Sequence, residues 1–90
     1  MADVIFGNVS YVVDGDTLDI ENVAVSRHNN HDYSEEERVR LSGCDAPELG
    51  SRGASTARGR LEHRYLGQRV RVDVSARDIY GRVIGHITLE

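Results

Sequence analysis

The stretch Val4-Ile5-Phe6-Gly7-Asn8-Val9-Ser10-Tyr11-Val12-Val13-Asp14-Gly15-Asp16-Thr17-Leu18-Asp19-Ile20 decides the architecture of this chain. Val4 to Val13 is rich in β-branched side chains, which fit a pleated, half-buried surface. The run ends at Asp14-Gly15, where both residue types tolerate the positive φ of a tight hairpin turn. Thr17-Leu18-Asp19-Ile20 then alternates polar and apolar, and the pattern continues through Val23 and Val25. The two runs predict a β-hairpin.

Beyond the hairpin, Ser26 to Glu37 contains His28, Asn29, Asn30, His31 and three consecutive glutamates. It follows neither the helical nor the strand period and reads as a mobile polar loop. Val39 and Leu41 alternate with Arg38, Arg40 and Ser42, a third strand that ends near Cys44 and is stopped by Pro47. From Arg52 to Leu66, Ala54, Ala57, Leu61 and Tyr65 recur every three to four residues, the pattern of a helix with a narrow apolar face. Ser51 is placed to cap it and Gly67 to end it, while Gly53 and Gly59 each weaken it by roughly 1 kcal/mol relative to alanine. Val70, Val72 and Val74 alternate with charged neighbours as a fourth strand. Asp78 to Gly81 makes a turn, and Arg82 to Leu89 a fifth strand. The order β-β-β-α-β-β predicts a mainly β fold with one helix, a small five-stranded barrel of the OB type.

The chain of 90 residues has room for one domain with a single core. Hydrophobic residues at 39% and charged residues at 29% are globular proportions, which argues against disorder and membrane insertion. Met1-Ala2-Asp3 shows no basic region followed by an apolar stretch, so localisation stays open; a leader removed upstream would suit a secreted or periplasmic protein. Cys44 is the only cysteine, which excludes an internal disulfide and a cysteine-rich metal site and suggests a small buried hydrophobe. The four histidines, His28, His31, His63 and His86, fall in three different elements and do not form a zinc set.

The net charge of -4 conceals an asymmetry. Residues 1 to 48 hold eleven acids against three arginines, residues 49 to 90 four acids against eight arginines, and lysine is absent. Such a division suits a carboxylate-rich end for a hard cation beside a basic face for phosphate.

Three segments carry chemistry together: Val12-Val13-Asp14-Gly15-Asp16-Thr17-Leu18-Asp19-Ile20, Val39-Arg40-Leu41-Ser42-Gly43-Cys44-Asp45-Ala46-Pro47-Glu48, and Asp78-Ile79-Tyr80-Gly81-Arg82. In this order they resemble the staphylococcal-nuclease (thermonuclease) family. The resemblance implies that Asp16, Asp45 and the backbone carbonyl of Ala46 ligate Ca²⁺, that Arg40 and Arg82 hold the scissile phosphate, and that Glu48 orients or deprotonates the attacking water. It also implies that Tyr80 contacts substrate, although a half-buried barrel aromatic is the plainer reading. Asp19 either supports the metal site or is a solvated strand residue, and Thr17 buttresses the turn by hydrogen bonding. The implied substrates are DNA and RNA, single strands preferred, cut with little sequence preference to leave 3′-phosphate ends.

The sequence departs from the family in two respects. Nineteen residues separate Ile20 from Arg40, so residues 26–37 look like an insertion whose Glu35-Glu36-Glu37 run either repels DNA or keeps the loop soluble. The chain also stops just after the fifth strand, where the family continues into further helices, and Leu89-Glu90 resembles a cloning-site remnant. The expectation is therefore weak substrate affinity and a bare apolar surface that favours self-association. Two alternatives to an enzyme stand beside it: a non-catalytic nuclease-like domain binding nucleic acid or protein, and an OB-type interaction module that binds Ca²⁺ for stability.

Overall fold

The computed structural model describes residues 3–42 and 54–90. Within them the order is β1 (Asp3–Asp14), β2 (Thr17–Val25), β3 (Glu37–Leu41), α1 (Ala54–Tyr65), β4 (Arg69–Arg77) and β5 (Val83–Leu89). The strands close into a barrel in the sequence β1-β2-β3-β5-β4. Every pairing is antiparallel except that of β3 with β5. The mainly β, five-stranded barrel expected from the pattern of runs is the fold observed.

Alternation decides which side chains fill the barrel. Ile5, Val9, Leu18, Ile20, Val39, Val70, Val72 and Val83 are all at or near zero exposure, and each comes from the apolar phase of its strand. Burying a side chain of this size contributes about 1.5–3 kcal/mol. The opposite phase carries Asp19 and Arg38, which lie opposite each other across β2 and β3, while Thr17, opposite Arg40, is buried. The turn sits one residue later than Asp14-Gly15 suggested: Asp14 pairs with Thr17, which leaves Gly15 and Asp16 as the two loop residues.

Helix α1 packs against β1 and sends Leu61 into the core, with Tyr65 partly buried beside it. Gly67 ends the helix with φ of 79°, a left-handed conformation that suits glycine. Its amide donates to the Val9 carbonyl at 2.9 Å, and the Val9 amide donates to the Gln68 carbonyl at 2.9 Å. The helix end is thereby stitched to the middle of β1.

The segment after β2 has no regular structure until Glu37, but it is anchored at several points. Asn29 bonds both the amide and the carbonyl of Val4 at 2.8 Å. The buried Asp3 carboxylate accepts hydrogen bonds from the Asn30 amide (2.8 Å), the His31 amide (3.1 Å) and the Tyr33 hydroxyl (2.8 Å). His31 also brings its Nδ1 to 3.2 Å from Asp3, although its ring is largely exposed. Glu37 is not a solvated loop residue: it opens β3, is buried, and pairs with Arg77 through two bonds of 3.0 and 3.1 Å. Leu89 pairs with Val70, and Glu90 bonds Arg69 through its amide at 3.1 Å and its carboxylate at 3.0 Å.

Close approach at β4 and β5 depends on Gly85. A Cβ there would stand 2.6 Å from the Asp73 carbonyl oxygen and 2.8 Å from Val72. Gly85→Ala is expected to destabilise the barrel by about 1–3 kcal/mol, measured by denaturant unfolding; a stability unchanged from the parent would show that the strands part freely.

Asp3 provides a second prediction. Hydrogen bonds, led by that from the Asn30 amide, outweigh the effect of burial and lower its pKa from the ordinary 3.8 to about 2. A depressed folded-state pKa contributes stability that is complete above the unfolded value and is lost as pH falls through the folded one. Thermal melts should therefore show a loss between about pH 4 and about pH 2 that Asp3→Asn removes. An identical acid limb in the variant would exclude Asp3 as its source.

Candidate active site

The β1–β2 turn, the paired strands β2 and β3, and the turn before β5 carry the described candidate residues. Asp16 lies in the β1–β2 turn, where its amide donates to Asp14 Oδ1 at 3.1 Å. Its carbonyl accepts from the Leu41 amide at 2.7 Å, which fixes the turn against the end of β3. The Thr17 hydroxyl, almost fully buried, donates to Asp16 Oδ1 at 2.9 Å. The expected buttressing by Thr17 is thus present, and its target is the carboxylate itself. Arg40 places Nη2 at 3.6 Å from Asp16 Oδ2, an ion pair beyond good hydrogen-bond length.

The two neighbouring carboxylates interact. Burial raises the pKa of Asp16, and the hydrogen bond and charge of Asp14 raise it further, against the opposing pull of Thr17 and Arg40. Burial acts upward on Asp14 too, but its bonds with Asp16 and Thr17 bring it down overall. Asp16 is thus a partly buried oxygen donor whose negative charge is incompletely compensated, the condition in which a hard cation is welcome.

Arg82 is positioned by the turn before β5. Asp78 accepts from the amides of Tyr80 (3.0 Å) and Arg82 (2.9 Å) and from Arg82 Nε (2.6 Å). Gly81 completes the turn with φ of 86°. Arg82 lies 5.5 Å from the Tyr80 ring centroid, a cation–π distance. Tyr80 is 78% exposed, which excludes the half-buried barrel aromatic and leaves its ring presented to solvent.

Beside Tyr80 and Arg82 runs an open groove of about 720 Å³, whose walls also include Ser10, Asp19, Arg38 and Gly81. Asp19 is not merely solvated: it holds Arg38 through two bonds of 2.8 and 3.1 Å. The predicted site residues fall in two groups: Asp16, Thr17 and Arg40 meet at the β1–β2 turn and β3, while Asp19, Tyr80 and Arg82 line the groove. Asp45, Ala46 and Glu48, together with Cys44 and the cap at Ser51, lie outside the described residues. Among the described residues no cluster of three metal-ligating side chains forms.

Sequence reasoning gave no role to Asp14, Arg38 or Asp78. The signal for Asp78 was present, since an aspartate opening a turn that ends in glycine commonly bonds amides two residues on. Arg38 was visible only as the outward phase of β3.

A closed OB-type barrel with this acidic and arginine-bearing face fits a domain of the staphylococcal-nuclease type. The chain is 40% identical over 79 residues to the micrococcal nuclease of Shigella flexneri, an alignment covering 88% of this chain. It spans 40% of that relative's length. No family model matches the chain.

If Asp14 raises the pKa of Asp16 as described, Asp14→Asn should move the Asp16 carboxyl midpoint to lower pH. Carbon-13 NMR of the side-chain carboxyls reads this directly, and an unmoved midpoint would assign the shift to burial alone.

Proposed function

We propose that this chain is a nuclease domain that hydrolyses phosphodiester bonds of DNA and RNA, with single strands preferred and little sequence preference. The observation that carries the reading is the placement of Asp16 beside Arg40, in a chain 40% identical to a micrococcal nuclease. A site for phosphodiester cleavage needs oxygen donors for a hard cation next to arginine forks for the phosphate.

The donor chemistry of Asp16 suits Ca²⁺, because burial and Asp14 leave its carboxylate short of positive charge. Asp45 and the Ala46 carbonyl would complete the protein ligands, with substrate phosphate and water supplying the remainder. Ca²⁺ bound there would polarise the phosphate and favour the ionised form of a neighbouring water. Arg40 and Arg82 orient the scissile group and stabilise the charge that grows on its equatorial oxygens. Glu48 orients or deprotonates the attacking water. The bond to the 5′ oxygen breaks, leaving a 3′-phosphate on one fragment and a 5′-hydroxyl on the other. Thr17 holds the Asp16 carboxylate in place, and Tyr80 offers an exposed ring for contact with the nucleotide.

Arg82 must exchange its bond to Asp78 for a phosphate oxygen. Its engagement at 2.6 Å favours a second reading, in which the domain binds nucleic acid without cutting it. Digestion of single-stranded DNA separates the two. With Ca²⁺ the chain should cut, with chelator it should not, and Glu48→Ser and Arg82→Ala should each lose about 10²- to 10³-fold in rate. Undiminished cutting by both variants would sink the mechanism; binding with no cutting in any sample would favour the second reading.

A further inference from the structure

Arg38 is the arginine of this face that the catalytic reading leaves unused. It points outward from β3, two residues before Arg40, and its side chain is about half exposed. Asp19, directly across on β2, holds Nε and Nη2 in a bidentate pair. That pair occupies two of the five N–H groups of a guanidinium and fixes the plane of the fork. The parallel register aligns Val39 with Val83, the first residue of β5, and Arg82 immediately precedes it. Both arginines line the same groove, with Tyr80 and Ser10. Glu36 and Glu37 are also in the lining, and Glu37 is paired with Arg77.

Spacing identifies what this arrangement fits. Outward positions two residues apart on a strand are separated by about 6.6 Å, the scale of one nucleotide step in an extended single strand. A strand whose scissile phosphate lies at Arg40 would present its neighbouring phosphate to Arg38, in the groove that Tyr80 and Arg82 also line. We propose that Arg38 is a contact for the phosphate adjacent to the scissile one, and that Asp19 holds its guanidinium until a strand arrives. The inference rests on the nucleic-acid reading above but does not need hydrolysis. Asp19 then has two effects, since it orients the fork and competes with the phosphate for it. At an exposed surface the competition dominates, because a carboxylate beside a phosphate repels it and water screens only part of that repulsion.

The test is binding of fluorescently labelled decathymidylate in excess chelator, followed by anisotropy across a salt series. Arg38→Gln should weaken binding by about tenfold at low salt and reduce the slope of log affinity against log salt by about 0.7, one phosphate contact on a single strand. Arg69→Gln, which removes the same charge from a strand outside the groove, should stay within about twofold of the parent. Asp19→Asn should tighten binding, and that gain should vanish when Arg38→Gln is added, because Asp19 acts through Arg38. Thermal melts establish that each variant is folded. Arg38→Gln binding no worse than Arg69→Gln overturns the inference, as does a parent chain that does not bind the oligonucleotide. A chain that binds in this pattern without cutting removes the enzymatic reading and leaves this contact standing; a chain that cuts with Arg38→Gln bound normally does the reverse.

Discussion

Closing a five-stranded sheet requires strands at the two ends of its order to meet, and β1 is where that happens. One edge of β1 runs along β2 from Ile5 to Asp14, and the other pairs with β4 from Asp3 to Asn8. Register shifts along the first edge let one long strand bend enough to serve both partners. Asn22, with φ of 52°, lies within one of these irregularities and adopts the left-handed conformation that asparagine accepts. The turn that presents Asp16, the buried clasp around Asp3 and the helix end stitched to Val9 all hang on this strand. The candidate site and the stability of the barrel thus share one element, and disturbance of β1 reaches both.

The face that bears the candidate chemistry is not a bare basic patch. Arg38 is held by Asp19, Arg40 lies by Asp16 and Arg82 is bound by Asp78. Each arginine meets its carboxylate where solvent also has access, so each pair contributes little to stability. For Arg38 and Arg82 their worth is geometric, in holding guanidinium groups at the groove. For the proposed nucleic-acid ligand, forks already placed along a backbone would offset a net charge of -4.

The fold was legible because period-two alternation marks a half-buried strand directly, and the core consists of the residues that alternation selected. Leu61 and Tyr65 on the helix followed from their spacing in the same way. Glu37 escaped, since a third glutamate in an acidic run reads as solvent-facing, and only the distant Arg77 makes its burial tolerable. The clasp at Asp3 escaped for the same reason: its partners at Asn30, His31 and Tyr33 lie almost thirty residues away, beyond any local pattern. For the candidate site, spacing and resemblance singled out Asp16, Arg40 and Arg82, whose roles belong to the proposal. The carboxylates that hold the arginines were invisible, because which aspartate meets which arginine depends on cross-strand register.

The closure by β1 also bears on how the chain can reach this structure during synthesis. Asn8 and Arg69 meet across 61 residues, so the hairpin of β1 and β2 is complete long before the second edge of β1 has a partner. Until β4 emerges, that edge exposes unpaired backbone groups, the condition that invites pairing with another chain. Loop closure over such a distance is slow compared with local contacts. The strand that organises the finished barrel is therefore also the stretch most in need of protection while the barrel is unfinished.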